Sequence, residues 1–515
     1  MKHIVIGGIF VLLLIAAMVG YKFMDDASLT ASSDSGNIRA TVNIGVDSWA
    51  GYSVICSTEM RRLTLEREVL VKCKDDGADY PGRMAKLRNG DLEMAVATVD
   101  GYIAAAEAED YPASILFVID ESQGGDAIVA NINVAKNTND LKGKQGLRIT
   151  YTPDSPSATL AAQWANDFNV PINDPTSFTI IDSNGSSDAL QKLQNGEADV
   201  AVLWEPDVSK ALANSNFVKL LGTENTKNLI VDVLLANERY IKSDPEIVKI
   251  ITESYFLALH YYNSNPVEFE KAIMDYTKVK SDQVAALKDG IDWISLPRNA
   301  AEWLGINHGS VKARRQILST IDTAVRLLVN SGVFADNPLP NGNPLRIINS
   351  TPFTEVFTAA MNGQLPVPFQ AVTQVKDTSV TRKFKKLSPG RWTKLKEVGS
   401  LRIEAIRFKT GTAMLSPERQ ESFVKLVEML ATYPHYRIKI VGHSGRRGNK
   451  QANMDLSKQR SLTAARWLMN EFGIDKHRIY AYGVGNQNPP VRQPGEKKRA
   501  WSARWPRVEL ILVGD

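Results

Sequence analysis

Short apolar runs alternate with helical patterns in two separate stretches of this chain, and this order is the strongest constraint on its fold. In the first stretch, the runs 42–46, 68–72 and 94–98 are separated by helical patterns. The same strand–helix order returns between residues 147 and 203. Two such segments in tandem predict an α/β fold with two lobes, each built on a mainly parallel sheet. They also predict a cleft where ligands enter at the carboxyl ends of the strands.

The length of the chain predicts several domains. A chain of 515 residues is too long for one hydrophobic core. We expect a two-lobed domain at 41–360, with its second lobe at about 131–232. The segment 361–398 is rich in Pro, Thr, Ser and Lys and should be a linker. A compact α/β sandwich should then occupy 399–515, starting with a strand at 402–408.

Charge is distributed unevenly along the chain. Residues 382–515 contain 28 Lys and Arg against 11 Asp and Glu, a net charge of +17. Because the whole chain has a net charge of +4, residues 1–381 have −13. A basic C-terminal module suits nucleic acid, anionic lipid or an anionic wall polymer.

The N-terminus selects among these partners. An uncharged apolar run at 4–21 has the minimum length for a bilayer-spanning helix. A cleaved signal peptide is the alternative, although no small-x-small cleavage site follows the run. We therefore expect residues 1–22 to be a signal anchor of a single-pass inner-membrane protein and 23–40 to be a flexible spacer. The rest of the chain should be periplasmic, which excludes nucleic acid as a partner.

The chain has two cysteines, Cys56 and Cys73, in the same early region. The strand–helix–strand pattern places both near the same end of the first sheet. An exported protein can form a disulfide between them, and two free buried thiols are the alternative.

Four motifs follow one another between residues 41 and 355. They are IGVDSWAGY from Ile44, LRNGDLEMA from Leu87, DLKGK from Asp140 and LQNGEADVAVLWEP from Leu193. In order and spacing they resemble extracytoplasmic solute-binding proteins of the nitrate/sulfonate/taurine and thiamine-precursor class. The resemblance implies a two-lobed, periplasmic-binding-protein-like clamp that closes on a small solute.

The same resemblance implies ligand groups in the loops that follow the strands. These predicted ligand-binding residues are Asp47, Ser48, Trp49, Tyr52, Thr98, Asp100, Ser155, Ser157, Trp204 and Glu205. The helix start at Ser155 and Ser157 favours an anion, whereas Asp47, Asp100 and Glu205 favour an amine-bearing group, so a zwitterionic solute satisfies both. These residues could instead have purely structural roles. The two tryptophans would then be core residues, the serines would cap helices, and the carboxylates would be solvated or form structural ion pairs.

The C-terminal region contains Gly442-His443-Ser444, Asn453, Leu456-Ser457 and Arg460 in sequence. Together with Phe408-x-x-Gly411 and Arg507-Val508-Glu509, these residues resemble the OmpA-like peptidoglycan-associated domains. The resemblance implies a wall-facing domain whose predicted peptidoglycan-binding residues are Ser444, Asn453, Arg460 and Arg507.

One residue of the family pattern is missing. The family uses an Asp and an Arg together, the carboxylate for the side-chain amine of diaminopimelate and the guanidinium for its carboxylate. Arg460 occupies the Arg position, but Gly445 occupies the Asp position and is followed by Arg446 and Arg447. We expect a weakened or altered contact with peptidoglycan or another anionic wall component. An alternative role for Arg460 is a structural salt bridge.

No catalytic residue, metal site or cofactor is predicted. The six His are widely scattered, no His pair has metal-ligand spacing, and the sequence has no Gly-rich phosphate loop. The expected function is therefore a membrane-anchored solute-binding protein tethered towards the cell wall. The alternative is an envelope adaptor whose clamp binds a protein partner.

Overall fold

The computed structural model describes residues 38–306, 315–365, 383–402, 429–492 and 495–514, together with 408, 412–414 and 426–427. The predicted membrane segment at 4–21 lies outside these residues, as do most of the spacer 23–40 and most of the strand predicted at 402–408. Within the described ranges, no helix is both long enough and apolar enough to cross a bilayer.

Strands and helices alternate along most of the described chain. The strands are β1 (Ala40–Val46), β2 (Val69–Asp75), β3 (Met94–Thr98), β4 (Ala113–Ser122), β5 (Asp126–Asn131), β6 (Leu147–Tyr151), β7 (Phe178–Asp182), β8 (Val200–Trp204), β9 (Phe217–Gly222), β10 (Val231–Asn237), β11 (Ile291–Trp293), β12 (Lys396–Ser400), β13 (Arg437–Gly442), β14 (Ile479–Gly483) and β15 (Val508–Gly514). The helices are α1 (Thr58–Leu65), α2 (Tyr80–Asn89), α3 (Val99–Ala106), α4 (Pro156–Phe168), α5 (Ser186–Gln194), α6 (Asp207–Leu212), α7 (Glu238–Ser243), α8 (Pro245–Ser264), α9 (Pro266–Thr277), α10 (Ser281–Asp289), α11 (Leu296–Arg298), α12 (Gln316–Asn330), α13 (Thr351–Met361), α14 (Pro389–Trp392), α15 (Lys450–Phe472) and α16 (Lys498–Ala503).

The first lobe contains a mixed sheet in the order β11-β4-β10-β3-β1-β2. Strands β1, β2 and β3 are parallel, whereas β10 runs antiparallel to both of its neighbours. The central strand β4 is buried along its whole length. Phe117 on this strand packs against Tyr255 and Phe256 of α8, so the helical region after residue 243 is joined to the first lobe by an aromatic core.

The second lobe contains a sheet in the order β7-β6-β8-β5-β9. Strands β6, β7 and β8 are parallel, and β5 runs antiparallel to β8 and β9. Both sheets are therefore mixed rather than mainly parallel. The reason is that β5 and β10 each arrive directly from the other lobe, so they enter their sheet at the end where the parallel strands finish.

Two short connections between the lobes form the hinge. One runs through residues 123–125, between β4 and β5, and the other through 223–230, between β9 and β10. The hydroxyls of Ser122 and Thr223 are hydrogen bonded at 2.7 Å, and the backbone N–H of Gly124 donates to Oγ1 of Thr223 at 3.0 Å. These bonds hold the two connections side by side, as a hinge between two rigid lobes requires.

The C-terminal domain contains a sheet in the order β12-β15-β13-β14. Strand β12 pairs with β15, so the first described strand of this sheet begins inside the segment 361–398 that composition indicates to be a linker. Helix α15 begins at Lys450 because the side chain of Asn449 accepts hydrogen bonds from the backbone N–H groups of Gln451 and Ala452.

The C-terminal domain packs on the second lobe. The hydroxyl of Tyr433 donates to Oδ2 of the buried Asp167, on α4, at 2.7 Å, and the Tyr433 ring lies edge-on to Phe168. The backbone N–H of Ser400 donates to Oδ1 of Asn139 at 3.1 Å. A buried polar contact thus lies within a shared apolar cluster, which fixes the orientation of the two domains.

A disulfide joins Cys56, in the turn before α1, to Cys73, on β2, with a Cα–Cα distance of 5.9 Å. The bond closes a loop across a sequence separation of 17 residues. Loops of this length stabilise a fold by about 3 kcal/mol, chiefly by restricting the unfolded chain.

We expect the double substitution Cys56→Ser with Cys73→Ser to lower the free energy of unfolding of the first lobe by about 3 kcal/mol. Chemical denaturation of the oxidised protein, the reduced protein and the double variant measures this effect. The reduced protein should match the variant. Equal stability in all three samples would contradict a structural role for the bond.

Candidate functional site

A small cavity lies between the two lobes, next to the hinge. Its lining residues come from both lobes and are Asp47, Trp49, Tyr52, Ala78, Tyr80, Thr98, Asp126, Pro156, Trp204, Ile230 and Asp232. The cavity volume of about 20 Å³ is close to that needed for one water molecule. The lobes are therefore closed onto each other, and an organic solute requires them to separate about the hinge.

Asp47, directly after β1, is held by a buried arginine. Its Oδ2 lies 3.1 Å from a terminal nitrogen of Arg83, and its Oδ1 accepts the backbone N–H of Trp49 at 3.0 Å. Arg83 also binds Asp76 at 2.5 Å and lies over the ring of Tyr80. Burial raises the pKa of Asp47, and the Arg83 guanidinium opposes this rise. The positive charge of Arg83 is thus already shared by two carboxylates.

Asp120 and Asp232 are cross-strand partners on β4 and β10. Indole Nε1 of Trp49 donates to Oδ1 of Asp120 at 3.2 Å, and the Tyr52 hydroxyl donates to Oδ1 of Asp232. Burial raises the pKa of Asp120 to about 8, and burial together with Asp120 raises the pKa of Asp232 well above its ordinary value. Burial thus favours the protonated form of both carboxyls near neutral pH.

Gly51 permits the approach of Trp49 to Asp120. A Cβ at this position would lie 2.0 Å from Oδ2 of Asp120 and 2.3 Å from Nε1 of Trp49. Any larger residue would displace the carboxylate or the indole. The segment after Trp49 therefore requires a glycine at position 51 to contact Asp120.

Asp126 begins β5 and brings a carboxylate from the second lobe to the same cavity. Burial raises its pKa to about 7; a hydrogen bond from Ser122 opposes this, whereas Asp100, Glu205 and Asp47 add to it. Asp126 is 2% exposed. No group in the described part of the chain donates a hydrogen bond to its Oδ2.

Trp204, at the end of β8, closes the cavity from the second lobe. Its Nε1 donates across the cleft to the hydroxyl of the exposed Ser48 at 3.4 Å. The neighbouring Glu205 is directed elsewhere, because its carboxylate accepts both the backbone N–H and the hydroxyl of Ser209 at the start of α6. Glu205 therefore caps a helix and does not line the cavity.

A second and larger cavity of about 320 Å³ lies between α3, α4 and α12. Asp100 and Ser155 line it, together with Tyr151 and Arg402. The hydroxyl of Ser155 accepts the backbone N–H of Ser157 at 3.2 Å and so caps α4. Burial raises the pKa of Asp100.

The predicted ligand residues thus separate into four groups. Those that line the cavity between the lobes are Asp47, Trp49, Tyr52, Thr98 and Trp204. Ser48 lies at its edge, Asp100 and Ser155 line the larger cavity, and Ser157 and Glu205 line neither. Thr98 also caps α3, where its hydroxyl accepts the N–H of Gly101 at 3.2 Å.

Three carboxylates of the site were not predicted from the sequence. They are Asp120, Asp126 and Asp232, each on a strand that is mostly apolar. A carboxylate within a mostly apolar strand is the signal that could have identified them, because charged side chains are rarely buried without a partner.

In the C-terminal domain, Arg460 is buried on α15. Its Nε donates to the carbonyl of Thr412 at 3.1 Å, a terminal nitrogen donates to the carbonyl of His443 at 3.3 Å, and the guanidinium lies over the ring of Phe408. Burial lowers its pKa. No carboxylate in the described ranges forms a salt bridge with Arg460, so the structural salt bridge considered above is absent there.

The other predicted wall-binding residues make contacts within the domain. Nδ2 of Asn453 donates to the carbonyl of Arg447 at 3.2 Å, and the Ser444 N–H donates to the carbonyl of Gly485 at 2.8 Å. Arg507 pairs with Glu509 at 2.7 Å. Burial alone would raise the pKa of Glu509. The His443 and Arg507 side chains outweigh this effect and lower the pKa to about 2.

Two protein families match separate parts of the chain. Residues 74–269 match the family described as NMT1/THI5 like, and residues 407–501 match the OmpA family. The chain therefore joins an NMT1/THI5-like domain to a C-terminal OmpA domain. The described architecture is mixed α/β, with two lobes that each contain a mixed sheet, followed by the OmpA domain.

Individual relatives cover parts of the chain. The probable lipoprotein YiaD of Escherichia coli is 30% identical over 107 residues, which is 21% of this chain and 47% of YiaD. The peptidoglycan-associated lipoprotein of Brucella melitensis is 29% identical over 86 residues, 17% of this chain and 51% of that protein. The chain thus spans about half the length of these two relatives. Among solved structures, the periplasmic nitrate-binding protein NrtA of Synechocystis PCC 6803 has a TM-score of 0.48 and 11% identity, covering 63% of this chain and 91% of NrtA.

Proposed function

We propose that this chain is a non-enzymatic binding protein of the bacterial envelope. The clamp at 41–360 binds a small solute between its lobes, the domain at 399–515 associates with peptidoglycan, and residues 1–22 anchor the chain in the inner membrane. The observation that most supports the clamp is the hinged cleft, in which Asp47 and Tyr52 from one lobe face Asp126 and Trp204 from the other.

A basic C-terminal domain with a buried arginine supports the wall-binding role. Arg460 makes hydrogen bonds to backbone carbonyls and forms no salt bridge with any carboxylate in the described ranges. A guanidinium in this state suits a carboxylate or another anion of the wall. Attachment to membrane and wall together would raise the effective concentration of the clamp at a fixed place in the envelope.

A thermal-shift screen of the full chain against small solutes tests the clamp. A bound solute should raise the Tm saturably, by the equivalent of about 2.7 kcal/mol at a hundred times its Kd. Trp204→Ala should abolish the shift, because this side chain closes the cavity between the lobes. Tyr151→Ala is the matched control, since Tyr151 lines the larger cavity instead.

Two outcomes would contradict this proposal. If Tyr151→Ala abolishes the shift and Trp204→Ala keeps it, the solute binds in the larger cavity. If no solute changes the Tm and an envelope protein binds the clamp, the chain is an adaptor.

A further inference from the structure

Carboxyl groups outnumber basic groups around the cavity between the lobes. Asp47, Asp126 and Asp232 line it, and Asp120 is the cross-strand partner of Asp232. Asp100 and Glu205 lie outside the lining, but both raise the pKa of Asp126. Arg83 forms a salt bridge with Asp47, and it is also bound to Asp76. In the described part of the chain, no salt bridge reaches Asp120, Asp126 or Asp232.

Two of these side chains line the cavity with an oxygen that lacks a donor. Asp126 and Asp232 are 2% and 1% exposed, and no described group donates a hydrogen bond to Oδ2 of either residue. Burial of an acceptor without a donor is unfavourable, and more so for an ionised group. Such a group calls for a partner from outside the chain, and a bound ligand can supply it.

The walls of the cavity are aromatic. Trp49, Tyr52, Tyr80 and Trp204 all line it. Aromatic faces attract a cation and repel an anion. Among the described residues, no three His, Cys, Asp or Glu side chains are grouped closely enough to hold a metal ion. An organic cation therefore fits this cavity better than a metal ion or an anionic solute.

We propose that the cleft binds an organic cation with N–H donors, a primary ammonium, amidinium or guanidinium group, at Asp126 and Asp232. This inference rests on the proposed solute-binding function and names its substrate class. The N–H groups would donate to the two Oδ2 atoms, and the aromatic rings would enclose the rest of the solute. A quaternary ammonium lacks these donors and would leave both oxygens unsatisfied.

The cation should compete with protons. Asp126 has a pKa of about 7. Its ionised form binds the cation, so the affinity should rise by about tenfold between pH 6 and pH 8, while an aliphatic amine itself stays protonated. Burial and Asp120 raise the pKa of Asp232 well above its ordinary value, and a bound cation would lower it. An anionic solute would show the opposite dependence.

Isothermal titration and thermal shift on the full chain test the inference with three sets of probes. The first set is putrescine, agmatine, 2-phenylethylamine and benzamidine; the second is choline and tetramethylammonium; the third is taurine, ethanesulfonate and nitrate. We expect a saturable response from a member of the first set that is at least about tenfold weaker with Asp126→Asn. Asp199→Asn, at a surface salt bridge with Arg148, is the matched control and should bind as wild type.

The outcomes separate this inference from the proposed function. If the sulfonates, nitrate or the quaternary cations bind and the N–H cations do not, the clamp binds solutes but the cation assignment is wrong. If no probe of any set binds, both the assignment and the clamp function fail. Should Asp126→Asn lose its fold, the pH dependence with wild-type protein decides, and an affinity that falls from pH 6 to pH 8 overturns the inference.

Discussion

Asp126→Asn should raise the thermal stability of the ligand-free protein at pH 8, although it removes a native side chain. The folded protein raises the pKa of Asp126 from 3.8 to about 7, through burial first and neighbouring carboxylates second. Three pKa units correspond to about 4 kcal/mol of destabilisation once the carboxylate is ionised. A neutral amide of the same shape removes most of this cost, so we expect Tm to increase by several degrees.

The pH dependence of this effect has a definite sign. Between pH 3.8 and about 7 the folded state holds a proton on Asp126 that the unfolded state has lost. Stability from this group is therefore complete below pH 3.8 and falls as the pH rises, until the full loss is reached above about pH 7. Thermal melts of wild type and Asp126→Asn from pH 5 to pH 9 should diverge with increasing pH.

Asp76→Asn provides a control of opposite sign. Its carboxylate binds Arg83 at 2.5 Å, and the Arg83 side chain is fully buried. Removal of the Asp76 charge leaves a buried guanidinium with one partner fewer, so this variant should be less stable than wild type at every pH. If Asp126→Asn also lowers stability at pH 8, the Asp126 carboxylate is a structural group and the argument from its burial fails.

Local patterns in the sequence predicted the elements that depend on local signals. The strand at 94–98 and the strand at 147–151 were predicted with the bounds that the structure has. Helix α2 ends where Gly90 adopts a φ of 86°, a conformation that favours glycine. Such signals lie within a few residues of the element that they define.

The strands that cross between the lobes were not predicted. The strands β4 and β10 are mostly apolar and buried along their length, and periodicity gives them no preferred face. Their antiparallel pairing brings together residues more than a hundred positions apart, such as Asp120 and Asp232. The carboxylate pair is a product of that long-range pairing, so motifs that follow single strands could not locate it.

Gly445→Asp should strengthen binding to peptidoglycan, because it restores the carboxylate that the OmpA pattern has at this position. A Cβ on Gly445 would lie 3.9 Å from Cγ of Pro506, its nearest neighbour among the described residues, so a larger side chain fits. A charge-assisted hydrogen bond to the diaminopimelate amine contributes about 1.5–3 kcal/mol, or roughly 10- to 100-fold in affinity. Sedimentation with purified sacculi and titration with a diaminopimelate-containing wall peptide measure the change.

The positive charges next to position 445 determine how much Gly445→Asp increases the affinity for peptidoglycan. Arg446 and Arg447 follow Gly445 directly and repel an ammonium group, so a new carboxylate supplies both a hydrogen bond and a local neutralisation. Gly445→Asn has nearly the same shape without the charge and should give a much smaller gain. An equal gain from Asn and Asp would show that the space, and not the charge, limits binding.

Substitution of Arg460 tests its proposed contact with the wall peptide. Arg460→Ala should reduce sacculus binding by about tenfold or more, since the guanidinium is proposed to hold the carboxylate of the wall peptide. Arg466→Ala is the matched control, because Arg466 lies on the same helix with an exposed side chain. Gly445→Asp should restore little binding when combined with Arg460→Ala if the two residues act on one ligand. If Arg460→Ala sediments as wild type does while Arg466→Ala does not, the wall contact lies on the exposed basic face of the helix rather than at the buried arginine.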